Sequence, residues 1–165
     1  MGYKIENLTM DLQKKFSDLL KECKTAFLYS GKIEPHDENY LWINIKNEHG
    51  VYVILRKDNQ KPIYIGSSGK ISKGNILSGS NVKKRICGAL TPYKVEDKHF
   101  YYEPSKEKDE NKMPLSYGKN LPLADLEFHI FYTKSLGIVP ACLEHLLIQA
   151  CINEFGDLPE ANQKI

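Results

Sequence analysis

Charge of one sign is scarce in this chain. Lys and Arg number 23 against 21 Asp and Glu, a net charge of only +2. That near-balance excludes a protein held to nucleic acid or to an anionic membrane by bulk charge. Long apolar runs are missing as well, so no stretch is of a length to cross a bilayer, and residues 1–6 lack the apolar core of a signal peptide. The expectation is a cytoplasmic protein with no membrane partner. Cysteine is sparse and scattered. Cys23, Cys87, Cys142 and Cys151 form no Cys-x-x-Cys pair and have no histidine cluster beside them, which argues against zinc. They read as reduced, buried thiols. Internal repeats and low-complexity tracts are also absent.

What is present is an ordinary globular composition, 41% hydrophobic and 27% charged, over 165 residues. That length suits one domain with a real core. Over residues 8–28, Leu12, Phe16, Leu19, Leu20, Cys23 and Phe27 recur at helical spacing, and Thr9 or Asp11 is a candidate start. Residues 30–39 read as a loop, and 40–45 have strand composition. Residues 50–55 and 62–68 are two β-rich runs around a polar turn, which predicts a hairpin. A register centred on Asp58 would set Tyr52 directly opposite Tyr64. Residues 67–80 read as a Gly/Ser/Lys-rich loop, followed by a helix to about Leu90 capped by Ser80 or Asn81. Residues 101–124 form a long charged excursion with three prolines. Residues 126–132 suit a third strand. Pro140 opens a helix through Phe155 with Leu143, Leu146, Leu147, Ala150 and Cys151 buried, and Gly156 stops it.

Charge is uneven along the chain. Residues 67–100 carry seven Lys and Arg against two acids, a local net charge of +5. Lys70, Lys73, Lys83 and Lys84 are candidate contacts to a phosphate backbone. The plain alternative is a solvated lysine face.

Gly50-Val51-Tyr52 and Tyr64-Ile65-Gly66, followed in order by Arg85, Glu144 and Asn162, resemble the GIY-YIG nuclease superfamily. Each motif is short, but five positions in order and in suitable secondary-structure contexts form a more specific signal. The resemblance covers about residues 49–165, with insertions at about 67–80 and 101–124, and leaves 1–48 as an N-terminal helical extension packed on the core. It implies an α+β fold with a small central antiparallel sheet of about three strands flanked by helices. It also implies a Mg²⁺-dependent (or Mn²⁺-dependent) endonuclease acting on double-stranded DNA. Compact stand-alone members with insertions resemble type II restriction endonucleases, and cutting both strands of a symmetric site calls for a homodimer on DNA.

Phosphodiester hydrolysis needs an activated water, charge neutralisation on the phosphoryl oxygens and protonation of the departing oxygen. The resemblance implies Tyr52 as general base, Tyr64 as the group orienting water or phosphate, Arg85 as the phosphoryl clamp and Glu144 as metal ligand, with Asn162 bonding phosphate or fixing a neighbour. A free phenol titrates near ~10, so a Tyr52 base needs nearby positive charge, with Lys70, Lys73 and Arg85 as candidates. A single carboxylate with several waters suits Mg²⁺. The chain departs from the family at Ala89, where many members place His or Tyr one turn after the arginine. Three other readings stand beside the restriction enzyme. One is a structure-selective or repair nuclease, the second is a catalytically silent DNA-binding module, which the Ala89 departure keeps open, and the third is a generic α+β interaction domain that ignores DNA.

Overall fold

The protein is described as a computed structural model, over residues 13–26, 32–33, 45–71, 77–89, 92–95, 98–101, 125–134 and 138–162. In chain order the elements are α1 (Phe16–Ala26), β1 (Lys32–Ile33), β2 (Gly50–Arg56), β3 (Pro62–Ser68), β4 (Lys70–Ile71), β5 (Leu77–Ser78), α2 (Val82–Ala89), β6 (Pro92–Val95), β7 (Lys98–Tyr101), β8 (Leu126–Tyr132) and α3 (Pro140–Phe155). The fold is α+β. Its main sheet is antiparallel in the order β1-β8-β2-β3. Three seven-residue strands form its body, and the two-residue β1 pairs with β8 at Lys32 and Ile33. The loop expected over 30–39 therefore gives up two residues to the sheet.

Alternation along the strands gives the sheet two apolar faces. Tyr52, Ile54, Tyr64, Phe128, Ile130 and Tyr132 pack with Val82 and Ile86 of α2. Val51, Val53, Leu55, Ile65 and Phe131 pack with Phe16, Leu19, Leu20 and Cys23 of α1 and with Leu143, Leu147 and Cys151 of α3. Burying each such aliphatic or aromatic side chain contributes about 1.5–3 kcal/mol, so the two faces hold the helices in place. Leu146 is only partly buried on α3, whereas Ile148 is buried. Val139 precedes the helix, Pro140 stands in its first turn and Gly156 ends it.

Several expectations need correction. Tyr52 pairs with Gly66, and Tyr64 pairs with Ile54. The turn closes between Arg56 and Lys61, which centres it between Asp58 and Asn59, and an irregularity at Ile54/Leu55 moves the pivot on to Asn59. Because the slip between the strands is two residues, both phenols stay on one face, as diagonal neighbours rather than directly opposite. The 67–80 segment is not simply a loop. Ser67 and Ser68 finish β3, and Lys70–Ile71 pairs with Leu77–Ser78. Beyond α2, Pro92–Val95 pairs with Lys98–Tyr101 in a second small ribbon that the sequence reading missed. Of the thiols, Cys23 and Cys151 are buried but Cys142 is exposed. The first helix starts at Phe16, because residues 13–15 are turn and coil rather than helix. Outside the described residues lie Thr9 and Asp11, the strand expected at 40–44 and most of the 101–124 excursion.

Gly50 is required by close approach. A Cβ there would stand 2.1 Å from the carbonyl oxygen of Phe131 on the neighbouring strand. No helix among the described residues is long and apolar enough to cross a membrane.

Candidate active site

Both tyrosines rise from the hairpin on the α2 side. Their ring centroids are 5.7 Å apart and tilted by 43°. Gly66 makes room for them. A Cβ at that position would lie 2.6 Å from Tyr64 Cε1 and 2.8 Å from Tyr52 Oη. The glycine therefore follows from steric need, since β3 must run bare beneath the phenol of Tyr52. Tyr52 is 5% exposed and Tyr64 8%, so each offers little more than its edge. The interaction between the two hydroxyls pushes Tyr52 up and Tyr64 down.

Arg85 lies on α2, whose start is fixed twice. Asn81 Oδ1 accepts the Lys84 N–H at 2.7 Å, and the Val82 N–H donates to the Glu48 carbonyl at 2.9 Å. Asn81, not Ser80, is thus the cap. Val82 and Ile86 are fully buried, and the helical spacing puts Lys83 and Arg85 on opposite flanks of that buried stripe. Arg85 is exposed, and its positive charge acts on both phenols. Lys83 is half-buried, while Lys84 and Lys70 are exposed. Lys73 lies outside the described residues, as does the side chain of Ala89.

Glu144 comes from the opposite side of the sheet. It follows the fully buried Leu143 on α3, is half-buried itself, and accepts a hydrogen bond from the Ser67 hydroxyl. Its negative charge also reaches both phenols. Tyr52, Tyr64, Arg85 and Glu144 are therefore gathered around the outer strand β3, two from the hairpin and one from a helix on each face.

Asn162 occupies a different kind of position. Its Oδ1 accepts the Ile65 N–H at 2.9 Å and its Nδ2 donates to the Ile65 carbonyl at 2.7 Å. The Ala161 N–H donates to the Ile63 carbonyl at 2.8 Å, and Arg56 makes a two-pronged pair with Glu160 at 3.1 and 2.9 Å. Ala161 and Asn162 thus occupy the edge of β3 that faces away from β2. Of the two roles open to Asn162, the structure displays fixing a neighbour.

Electrostatics alter the reading of the base. Burial is the largest influence on Tyr52 and pushes its phenol well above the usual range. Tyr64 adds to that rise, Arg85 opposes it and Glu144 reinforces it. Tyr64 is raised too, again first by burial. Arg85 alone therefore leaves Tyr52 neutral at physiological pH.

Among the described residues no group of three or more His, Cys, Asp or Glu converges, so no preformed cage of protein ligands is present there. The half-buried carboxylate of Glu144 beside the Ser67 hydroxyl is a hard-oxygen set. It fits an ion that keeps several of its own waters, as Mg²⁺ does. Ser67 is the one member of the cluster with no role in the sequence reading. The signal for it was strand alternation along 62–68, which puts Ser67 with Ile65 on the α3 face. No family model matches the chain, and no curated protein or solved structure matches it.

Proposed function

We propose that the protein is a Mg²⁺-dependent DNA endonuclease of the GIY-YIG type. The observation that carries this reading is the meeting of two phenols, a guanidinium and a carboxylate around one strand, although they lie between positions 52 and 144 of the sequence. Arg85, exposed and permanently charged, is suited to the phosphoryl oxygens of a bound strand. Glu144 would hold the divalent cation, with Mn²⁺ as a substitute, and when bound the ion supplies charge neutralisation at the leaving oxygen. Tyr64 lends its Oη to orient water or phosphate. Tyr52 would serve as the base only where its proton is made more acidic than Arg85 alone makes it. Lys70, Lys73, Lys83 and Lys84 are assigned to the DNA backbone, with a homodimer acting on the two strands.

The specific form proposed is a site-specific, restriction-type enzyme. Incubating supercoiled plasmid with Mg²⁺ tests it, with wild type beside Glu144→Gln. The expected outcome is discrete bands from wild type, with ends that sequence to one recurrent motif, and a rate about 10²–10³-fold lower in the variant. Cleavage confined to branched or damaged DNA would favour the structure-selective reading. Binding without cleavage, unchanged in Glu144→Gln, would favour the silent DNA-binding module. Equal nicking by both proteins would sink the site assignment.

A further inference from the structure

Ser67 occupies a position that packing does not explain. It follows Gly66 on β3 and shares the α3 face with Ile65, which is completely buried there among Leu143 and Leu147. A half-buried strand position against a helix normally favours a β-branched or aromatic side chain. The chain has instead a small hydroxyl, and that hydroxyl donates to Glu144 Oε2. It is the one hydrogen bond that Glu144 accepts among the described residues. The apolar contacts already hold α3 to the sheet, so the bond is not needed as a tie between elements. Its effect is on the carboxylate. A glutamate has three side-chain torsions, and anchoring one oxygen removes most of the freedom of the group while leaving Oε1 without a donor among the described residues.

We infer that Ser67 is the positioning residue of the cation site, holding the Glu144 carboxylate by Oε2 so that Oε1 is presented to a divalent ion. This rests on the nuclease reading above and deepens it. Hydrogen-bonding partners of ligating carboxylates typically govern metal affinity by about 10–100-fold, and the same range is expected for Ser67.

The test is a titration of the full chain with Mn²⁺ alone, read by loss of the free-ion EPR signal, beside thermal unfolding in metal-free buffer. Ser67→Val and Ser67→Thr form the decisive pair, equal in shape and differing in the hydroxyl, with Ser67→Ala as a smaller variant. The expected result is weaker Mn²⁺ binding by about 10–100-fold in Ser67→Val and Ser67→Ala, and near wild-type binding in Ser67→Thr. Unfolding midpoints should not follow that order. Wild-type affinity in Ser67→Val or Ser67→Ala overturns the inference, and so does an equal loss in Ser67→Thr. If wild type cleaves plasmid while the hydroxyl-free variants bind Mn²⁺ normally, Ser67 loses its role and the nuclease reading stands. A wild type that neither binds Mn²⁺ nor cleaves DNA overturns both.

Discussion

Adding a methyl group at Gly66 would force both tyrosine rings away from the positions they hold now, because the new atom meets each ring inside 3.0 Å. Gly66→Ala is expected to destabilise the protein by about 1–3 kcal/mol, as overpacking in a close-fitted core does. Cleavage should fall further than stability explains, which comparing denaturant midpoints with cleavage rates would show. Asn162 makes a separate prediction. Asn162→Asp keeps an acceptor for the Ile65 N–H but loses the donor to the Ile65 carbonyl, and Asn162→Ala loses both. Each buried group left unmet costs about 1–3 kcal/mol, so both variants should be less stable than wild type by urea unfolding, the aspartate because it also sets an acceptor oxygen against the Ile65 carbonyl. Identical stability of wild type and Asn162→Ala would remove the clasp from the account. At this scale the tyrosines, Arg85, Glu144 and Asn162 were all legible as candidates. Ser67 was not, because its role depends on a helix more than seventy positions away.

The helices and strands were legible in proportion to how much apolar pattern they carry. Pro140, the stripe through Leu143 and Leu147, and Gly156 announce α3 almost to the residue. The hairpin announces itself too, but its register does not, since one irregularity at Ile54/Leu55 shifts the pairing without any mark in composition. The short ribbons β4/β5 and β6/β7 escaped because two to four residues give no period to read. β1 escaped for the same reason, its pairing being decided by β8. The element with most influence on the site is α2, which owes its place to Val82 and Ile86. Ile86→Ala should cost about 2–5 kcal/mol and loosen the arm that carries Arg85. The check is hydrogen exchange over residues 82–89. Protection there should drop well before that of β2 and β3, and unchanged protection would mean that α2 is held by something other than its buried pair.

Of the first third of the chain, the described elements lie within the fold, α1 on the α3 side of the sheet and β1 as one of its strands. Pattern showed the helix and led to the expectation that it packs on the core, but it did not show the strand β1. One consequence for the whole fold is alkaline sensitivity. Burial pushes the Cys23 thiol up to about 12 from an ordinary 9.0. The folded chain keeps that proton when the unfolded chain has lost it, so the stabilisation is fully present below pH 9 and falls as pH rises towards 12. Once the unfolded thiol is mostly ionised the loss is about 1.4 kcal/mol per pH unit, and Tyr52, also raised by burial, adds to it at higher pH. Urea unfolding from about pH 7.5 to about pH 10.5 should show the decline, and Cys23→Ala should make it shallower. A wild-type slope unchanged in Cys23→Ala would contradict this. The account depends above all on Arg85 and Glu144 serving a single reaction centre from opposite faces of the sheet. The direct test is a double-mutant cycle on plasmid cleavage with Mg²⁺, using Arg85→Ala, Glu144→Gln and the pair together. One shared centre predicts that each single change lowers the rate by about 10²–10³-fold and that the pair is hardly slower than the worse single. Single variants that cut at the wild-type rate, or losses that simply multiply in the pair, would contradict it.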